Sequence, residues 1–302
     1  MHSLGQRLKA LNYLSECDWV GIHESVIVSG CTAQFESGST ICKIAKPMLQ
    51  RLTIPGVFVT GTDTGVGKTV VAGAIANWFA RRHKKVAVCK LAATGCVRRR
   101  EGLVSEDAEF LAACADARHP LDLIAPQRFA EPLAPAIAAE RANRSLDWFM
   151  INNSIRLMSQ TSDLMVIEGV GGLMTPMDSK TTILDTITAL GVPAVVVARP
   201  GLGTINHTLL TINTLRAANV QVAGVVVNRY PTDLVGVAEE TNPRAIERWG
   251  KIPVLCIVPD EPIEGCELPK GVVSAIETVD WDSIITHNQQ NDTDCAKKTH
   301  IG

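Results

Sequence analysis

The sequence predicts a doubly wound α/β domain with a mainly parallel sheet, and three observations carry that expectation. Six short segments, at 56–60, 86–90, 163–168, 193–199, 222–228 and 252–257, are rich in Val and Ile and continuously apolar, as strands covered on both faces must be. Helical patterns fall between them at 67–82, 105–115, 145–160, 204–218 and 242–249, the alternation that connects parallel strands through crossover helices. The first strand also runs straight into a glycine-rich turn that opens a helix, Gly61-Thr62-Asp63-Thr64-Gly65-Val66-Gly67-Lys68-Thr69. The domain is assigned residues 51–285.

That turn organises the chain. Val57, Phe58, Val59 and Thr60 before it suit a buried strand, and Ile75, Trp78 and Phe79 after it lie on the apolar side of a helix. Glycines let successive backbone N–H groups converge on one anion, and the helix that follows offers its free N–H groups and positive dipole end. Lys68 adds a cation at the outer phosphates, and the Thr69 hydroxyl suits a magnesium ion. Five residues separate Gly61 from Gly67 where the common phosphate loop has four. This variant spacing argues against an ordinary kinase or small GTPase.

In such folds ligands sit at the carboxyl ends of the strands, so the polar residues that end each strand are the next candidates. The second strand ends in Lys90, followed by Thr94 and Gly95. A lysine there is either a surface residue or, lying beside the phosphate loop, a catalyst. The strand at 163–168 ends in Glu168-Gly169-Val170-Gly171-Gly172, an acid on the metal side of a phosphate loop with glycines that leave room for substrate. Gly203-Thr204-Ile205-Asn206 reads as a helix N-terminus suited to a carboxylate. Asn228 ends the next strand. It either pairs with the donor and acceptor of an adenine edge or caps the strand-end turn. Arg229 and Tyr230 follow it, so the Asn-Lys-x-Asp pattern of guanine-specific proteins is missing.

Composition bounds the rest. The chain has 302 residues, 46% hydrophobic and 20% charged, with a formal net charge of −2, so nothing draws it broadly to nucleic acid or to an anionic membrane. Arg98-Arg99-Arg100 reads as a short exposed turn. No apolar run approaches the ~20 residues of a membrane-spanning helix. The nine cysteines form no Cys-x-x-Cys pair and read as reduced thiols of a cytoplasmic protein. Residues 1–50 show no strand–helix alternation and read as an N-terminal extension; Met48 stands where a compact enzyme would begin, which suggests an upstream start for residues 1–47. The polar tail at 286–302 reads as disordered.

Seven motifs then occur in the order found in one family. The phosphate loop at 61–69, Lys90 with Thr94-Gly95, Ser105-Glu106-Asp107-Ala108, Phe129-Ala130-Glu131-Pro132, Glu168 to Gly172, Leu202 to His207, and Gly224 to Asn228 together resemble ATP-dependent dethiobiotin synthetase. The resemblance runs from about Thr53 to about Pro262. It implies an ATP- and magnesium-dependent ligase that closes a cyclic urea from diaminopelargonic acid and carbon dioxide, giving dethiobiotin, ADP and phosphate. By the same resemblance ATP is held by Thr64, Gly65, Val66, Gly67, Lys68, Thr69 and Val70, by Asp107, and by Glu168, Gly169, Val170 and Gly171. Asn228 and Arg229, with backbone of Pro253, Val254 and Leu255, are expected at the base. Thr69, Asp107 and Glu168 are implied as magnesium ligands, Lys90 and Lys68 as the catalytic cations, and Thr94 as the substrate hydroxyl. Residues 203–206 are implied to hold the acid tail of the substrate from a second subunit, hence a homodimer. Leu91 and Thr94 depart from the family's usual Pro and Ser. Two other functions compete with this reading. Cobalamin amide synthases add a glutaminase domain for which about 40 residues after Pro262 leave no room. A partition-type ATPase acting as a nucleotide-switched binding protein has a second lysine in the loop, where this chain has Asp63.

Overall fold

The computed structural model describes residues 49–285, and the expectations for the N-terminal extension up to Met48 and for the polar tail lie outside them. In chain order the elements are β1 (Gly56–Gly61), α1 (Lys68–Ala80), β2 (Val86–Lys90), β3 (Val97–Arg99), β4 (Gly102–Val104), α2 (Glu106–Cys114), α3 (Leu121–Ile124), α4 (Pro135–Arg141) and α5 (Trp148–Ser159). They continue with β5 (Leu164–Glu168), α6 (Ile183–Leu190), β6 (Ala194–Ala198), α7 (Thr204–Ala217), β7 (Val222–Tyr230), α8 (Val237–Gly250), β8 (Val254–Pro259) and α9 (Lys270–Glu277).

Six strands form one parallel sheet in the order β2-β5-β1-β6-β7-β8. Every residue of β1, β2, β5 and β6 is buried, as their unbroken apolar runs require when helices cover both faces. Burying a side chain such as Phe58, Ile167 or Val196 contributes about 1.5–3 kcal/mol relative to leaving it exposed. The chain leaves β1 for the edge strand β2, returns through β5, and then crosses to β6 on the other side of β1. The topological switch therefore falls at the carboxyl end of β1, where the glycine-rich turn begins. Register does the rest of the positioning. Val59 and Lys90 both pair with Glu168, and Gly61 pairs with Val197, so the polar ends of β1, β2, β5 and β6 emerge together.

Several elements differ from the sequence expectation. Leu49 is buried in the core and the Gln50 N–H donates to Asn152, so the packed domain includes residues assigned to the extension. Helix α8 begins at Val237 and not at 242. Its first turn carries Glu239 and Glu240 against the helix dipole, and Pro243 sits within the helix and does not start it. Strand β8 lies two residues later than expected and ends at Pro259. Helix α6 went unforeseen although Thr182 and Asp185 form a capping box and Gly191, at φ 64°, ends it. The three arginines belong to the β3–β4 hairpin, with Arg98 and Arg99 in strand β3 and Arg99 paired to Glu109. No helix among the described residues is long and apolar enough to cross a membrane.

Candidate functional site

The turn after β1 is shaped by its backbone. Gly67 caps α1 at φ 87°, and no side chain caps that end, so the first N–H groups of α1 stay open toward the loop. A Cβ on Gly67 would stand 2.0 Å from the side-chain nitrogen of Asn228, so close an approach admits only glycine. Lys68 is buried, and its Nζ donates to the carbonyl of Asp63 at 2.9 Å. Burial lowers its pKa, with the Glu168 carboxylate acting the other way.

Beside the loop, three strand and helix ends bring a cation between two acids. The Lys90 Nζ donates to Glu168 Oε1 at 3.0 Å and to Asp107 Oδ2. Thr69 Oγ1 lies 2.8 Å from Glu168 Oε1 and 3.2 Å from Asp107 Oδ1. Asp107 reaches this point from the first turn of α2, whose N-cap Ser105 accepts the Ala108 N–H. Its neighbour Glu109 faces Arg99 instead, so the structure selects Asp107 from the run of acids at 101–109. Burial pulls the Lys90 pKa down, but Glu168 and Asp107 together outweigh it and hold the ammonium form. Burial raises the Glu168 carboxyl, against the pull of Lys90.

The second oxygen of Glu168 is buried without a hydrogen-bond partner, a costly state that points to a missing ligand. Two carboxylates and a hydroxyl are hard oxygen donors, a sparse set of the kind magnesium accepts because it keeps several waters. Thr69, Asp107 and Glu168 therefore fit the ion expected of them.

Thr94 follows Lys90 on a segment braced by backbone bonds: Ala93, Gly95 and Cys96 donate to the carbonyls of Gln127, Glu131 and Phe129. The Phe129–Pro132 motif thus braces the Thr94 segment. Thr62, Asp63, Thr64, Gly172 and Thr175 line a cleft of about 390 Å³ together with His207, Leu210 and Thr211 of α7. Thr62, passed over in the sequence, has a buried hydroxyl without a partner. Residues 203–206 do not line this cleft within one chain. Thr204 is buried, its hydroxyl 3.4 Å from that of Thr208.

A second cavity of about 300 Å³ lies past the loop, between Val70 of α1, Asn228 and Arg229 at the end of β7, and Pro259 to Ile263. One correction follows. Pro253, Val254 and Leu255 cannot stand beside a base there. Val254 pairs with Val225 near the start of β7, so in a parallel sheet these residues sit at the end away from the loop, while Pro259 pairs with Tyr230 at the near end. The apolar run in the sequence places this strand two residues early, which moves the expected edge to 253–255. Asn228 lines this cavity, and its amide nitrogen donates to the carbonyls of Val66, at 2.9 Å, and Gly67, at 3.5 Å, so it braces the loop. Asn228→Asp should therefore weaken ATP and GTP binding by a similar factor, about tenfold, by setting a carboxylate against two carbonyls. Equilibrium titration with both nucleotides checks this; a loss confined to ATP would assign the amide to the base.

Residues 55–264 match a protein family described as an AAA domain. The chain is 36% identical over 211 residues to the ATP-dependent dethiobiotin synthetase of Thermodesulfovibrio yellowstonii, covering 68% of this chain and 88% of that protein. It is 39% identical over 211 residues to the ATP-dependent dethiobiotin synthetase of Anaeromyxobacter sp. (strain K), covering 68% and 91%. Among solved structures, the MinC:MinD cell division protein complex of Aquifex aeolicus matches with a TM-score of 0.46 and 17% identity over 74% of this chain and 93% of that one, a likeness on which nothing rests.

Proposed function

The chain belongs to the family of ATP-dependent dethiobiotin synthetases, and from that premise we propose that it closes the cyclic urea of dethiobiotin from diaminopelargonic acid, carbon dioxide and ATP. It is an ATP-using ligase of biotin biosynthesis. The observation that supports the reaction most is the meeting of Lys90, Thr69, Asp107 and Glu168 beside the glycine-rich turn.

The chemistry explains that arrangement. One amine of the diamine adds to carbon dioxide and loses a proton, giving a carbamate. A carbamate oxygen attacks the terminal phosphorus of ATP, the bond to ADP breaks, and a carbamic–phosphoric anhydride forms. The second amine attacks the anhydride carbonyl, the C–O bond to phosphate breaks, and loss of a proton completes the ring. The second of these steps brings an anionic carbamate against a polyanion, which repels it unless fixed cations lie between them. Lys68 lies at the loop and Lys90 beside it, both buried, where their charges act through little water. Lys90 is held as an ammonium by its two acids, so it stabilises carbamate charge and does not serve as the base. The Thr94 hydroxyl, on its braced segment, orients the carbamate. Thr69, Asp107 and Glu168 would hold magnesium, which offsets triphosphate charge when bound. The open N-terminus of α7 at residues 203–206 would receive the substrate's acid tail from a neighbouring subunit, which makes the working unit a homodimer.

One experiment tests the reading. ATP hydrolysis should require diaminopelargonate and bicarbonate together, with dethiobiotin appearing one for one with phosphate. Turnover without the diamine, or stimulation by DNA, rejects it in favour of a nucleotide-switched binding protein.

A further inference from the structure

Strand register brings one more charged pair to the loop. Gly61 of β1 pairs with Val197 of β6, and the Thr62 N–H donates to the Val197 carbonyl at 3.0 Å, so Asp63 and Arg199 leave the sheet side by side two residues later. Arg199 Nη2 donates to Asp63 Oδ2 at 2.6 Å. The other carboxylate oxygen accepts the Thr64 N–H at 2.7 Å, and the Asp63 carbonyl accepts Lys68 Nζ at 2.9 Å. Asp63 thus ties the tip of the loop, its lysine and strand β6 together. Arg199 has a firm base, because Asn242 donates to the carbonyls of Pro200 at 2.6 Å and Gly201 at 3.1 Å just beyond it.

We propose that Arg199 is a positioning residue for the nucleotide: it neutralises Asp63 and so keeps the loop receptive to the triphosphate. The inference rests on the ATP-dependent reading above. Asp63 places a carboxylate in a turn whose backbone gathers N–H groups for an anion, and unpaired it would oppose the phosphates. Its hydrogen bond to Thr64 keeps the loop's shape, which a carboxylate or an amide can supply equally. Only the charge needs Arg199. Both side chains are about half exposed, so the effect is moderate and weakens with salt.

Calorimetric titration with ATP would compare the wild type with Arg199→Ala, Arg199→Lys, Asp63→Asn and the double variant Arg199→Ala/Asp63→Asn. Arg199→Ala should weaken ATP about fivefold to tenfold at low ionic strength, with the loss shrinking as salt is added. Arg199→Lys should recover most of it. The double variant should return to within about threefold of the wild type, because no bare carboxylate remains. Unchanged affinity in Arg199→Ala, or a double variant as weak as the single one, would overturn the proposal. Binding needs no turnover, so a wild type that binds ATP yet closes no ring overturns the proposed reaction while the titrations still decide the role of Arg199. A wild type that binds no ATP overturns both.

Discussion

Lys90→Met should lower turnover by about two to three orders of magnitude, on the order of 3–4 kcal/mol of transition-state stabilisation, while ATP still binds. The side chain keeps most of its bulk and loses its charge and its N–H donors. Two effects then compete in the data. Lys90 is the cation between the buried Glu168 and the half-exposed Asp107, and breaking a buried pair such as Lys90–Glu168 costs about 3–5 kcal/mol because the remaining charge loses its partner. The thermal midpoint should therefore fall as well. Magnesium separates the two effects, since an ion held by Thr69, Asp107 and Glu168 would restore the compensating charge. The midpoint should recover when magnesium and ATP are added, and the rate should not. Dethiobiotin formed in a single turnover is the readout for chemistry; a rate within tenfold of the wild type would remove Lys90 from it.

Gly67→Ala has the second large expected effect. The residue sits at φ 87°, where a side chain is strained by about 1–3 kcal/mol, and its Cβ would overlap the Asn228 amide nitrogen at 2.0 Å. Asn228 is buried and its amide is bonded to the Val66 carbonyl, so relieving the overlap either breaks that bond or moves the turn. Nucleotide affinity should fall more than about a hundredfold because the N–H groups of the loop no longer converge. Gly65→Ala is the control. Gly65 also has a positive φ, 75°, but a Cβ there meets nothing within 4 Å. It carries the strain without the collision and should lose no more than about tenfold. Equal binding by the two variants would mean that the Asn228 contact does not shape the turn.

How much of the candidate site is legible in the sequence follows from the kind of signal each part carries. Lys68, Thr69 and Glu168 stand next to features with their own pattern, a glycine-rich turn or the end of an apolar strand, so chain position alone exposes them. Chain position alone leaves Lys90 ambiguous as a strand-end lysine; pairing of β2 with β5 sets it beside Glu168, and the first turn of α2 brings Asp107 to it. Asp107 was one acid among several, and only the capped first turn of α2 turns it toward Thr69. The sequence places the edge strand β8 two residues early because its pattern is weak: Ile257 is exposed, and nothing local says whether the strand ends at 257 or 259. Short helices α3 and α4 and the β3–β4 hairpin were missed because each is too brief for periodicity to register.

The amino-acid order by itself determined the alternation of strands and helices, the anion-binding turn and the chemistry of the groups around it, because backbone freedom, hydrophobic period and side-chain type are local properties. The strand order that sets β1 between β5 and β6, the register that joins Lys90 to Glu168 and Asp63 to Arg199, and the turning of Asn228 onto the loop were decided only by tertiary structure. Those depend on which buried surfaces meet, and residues far apart in the chain become neighbours only once the sheet is assembled.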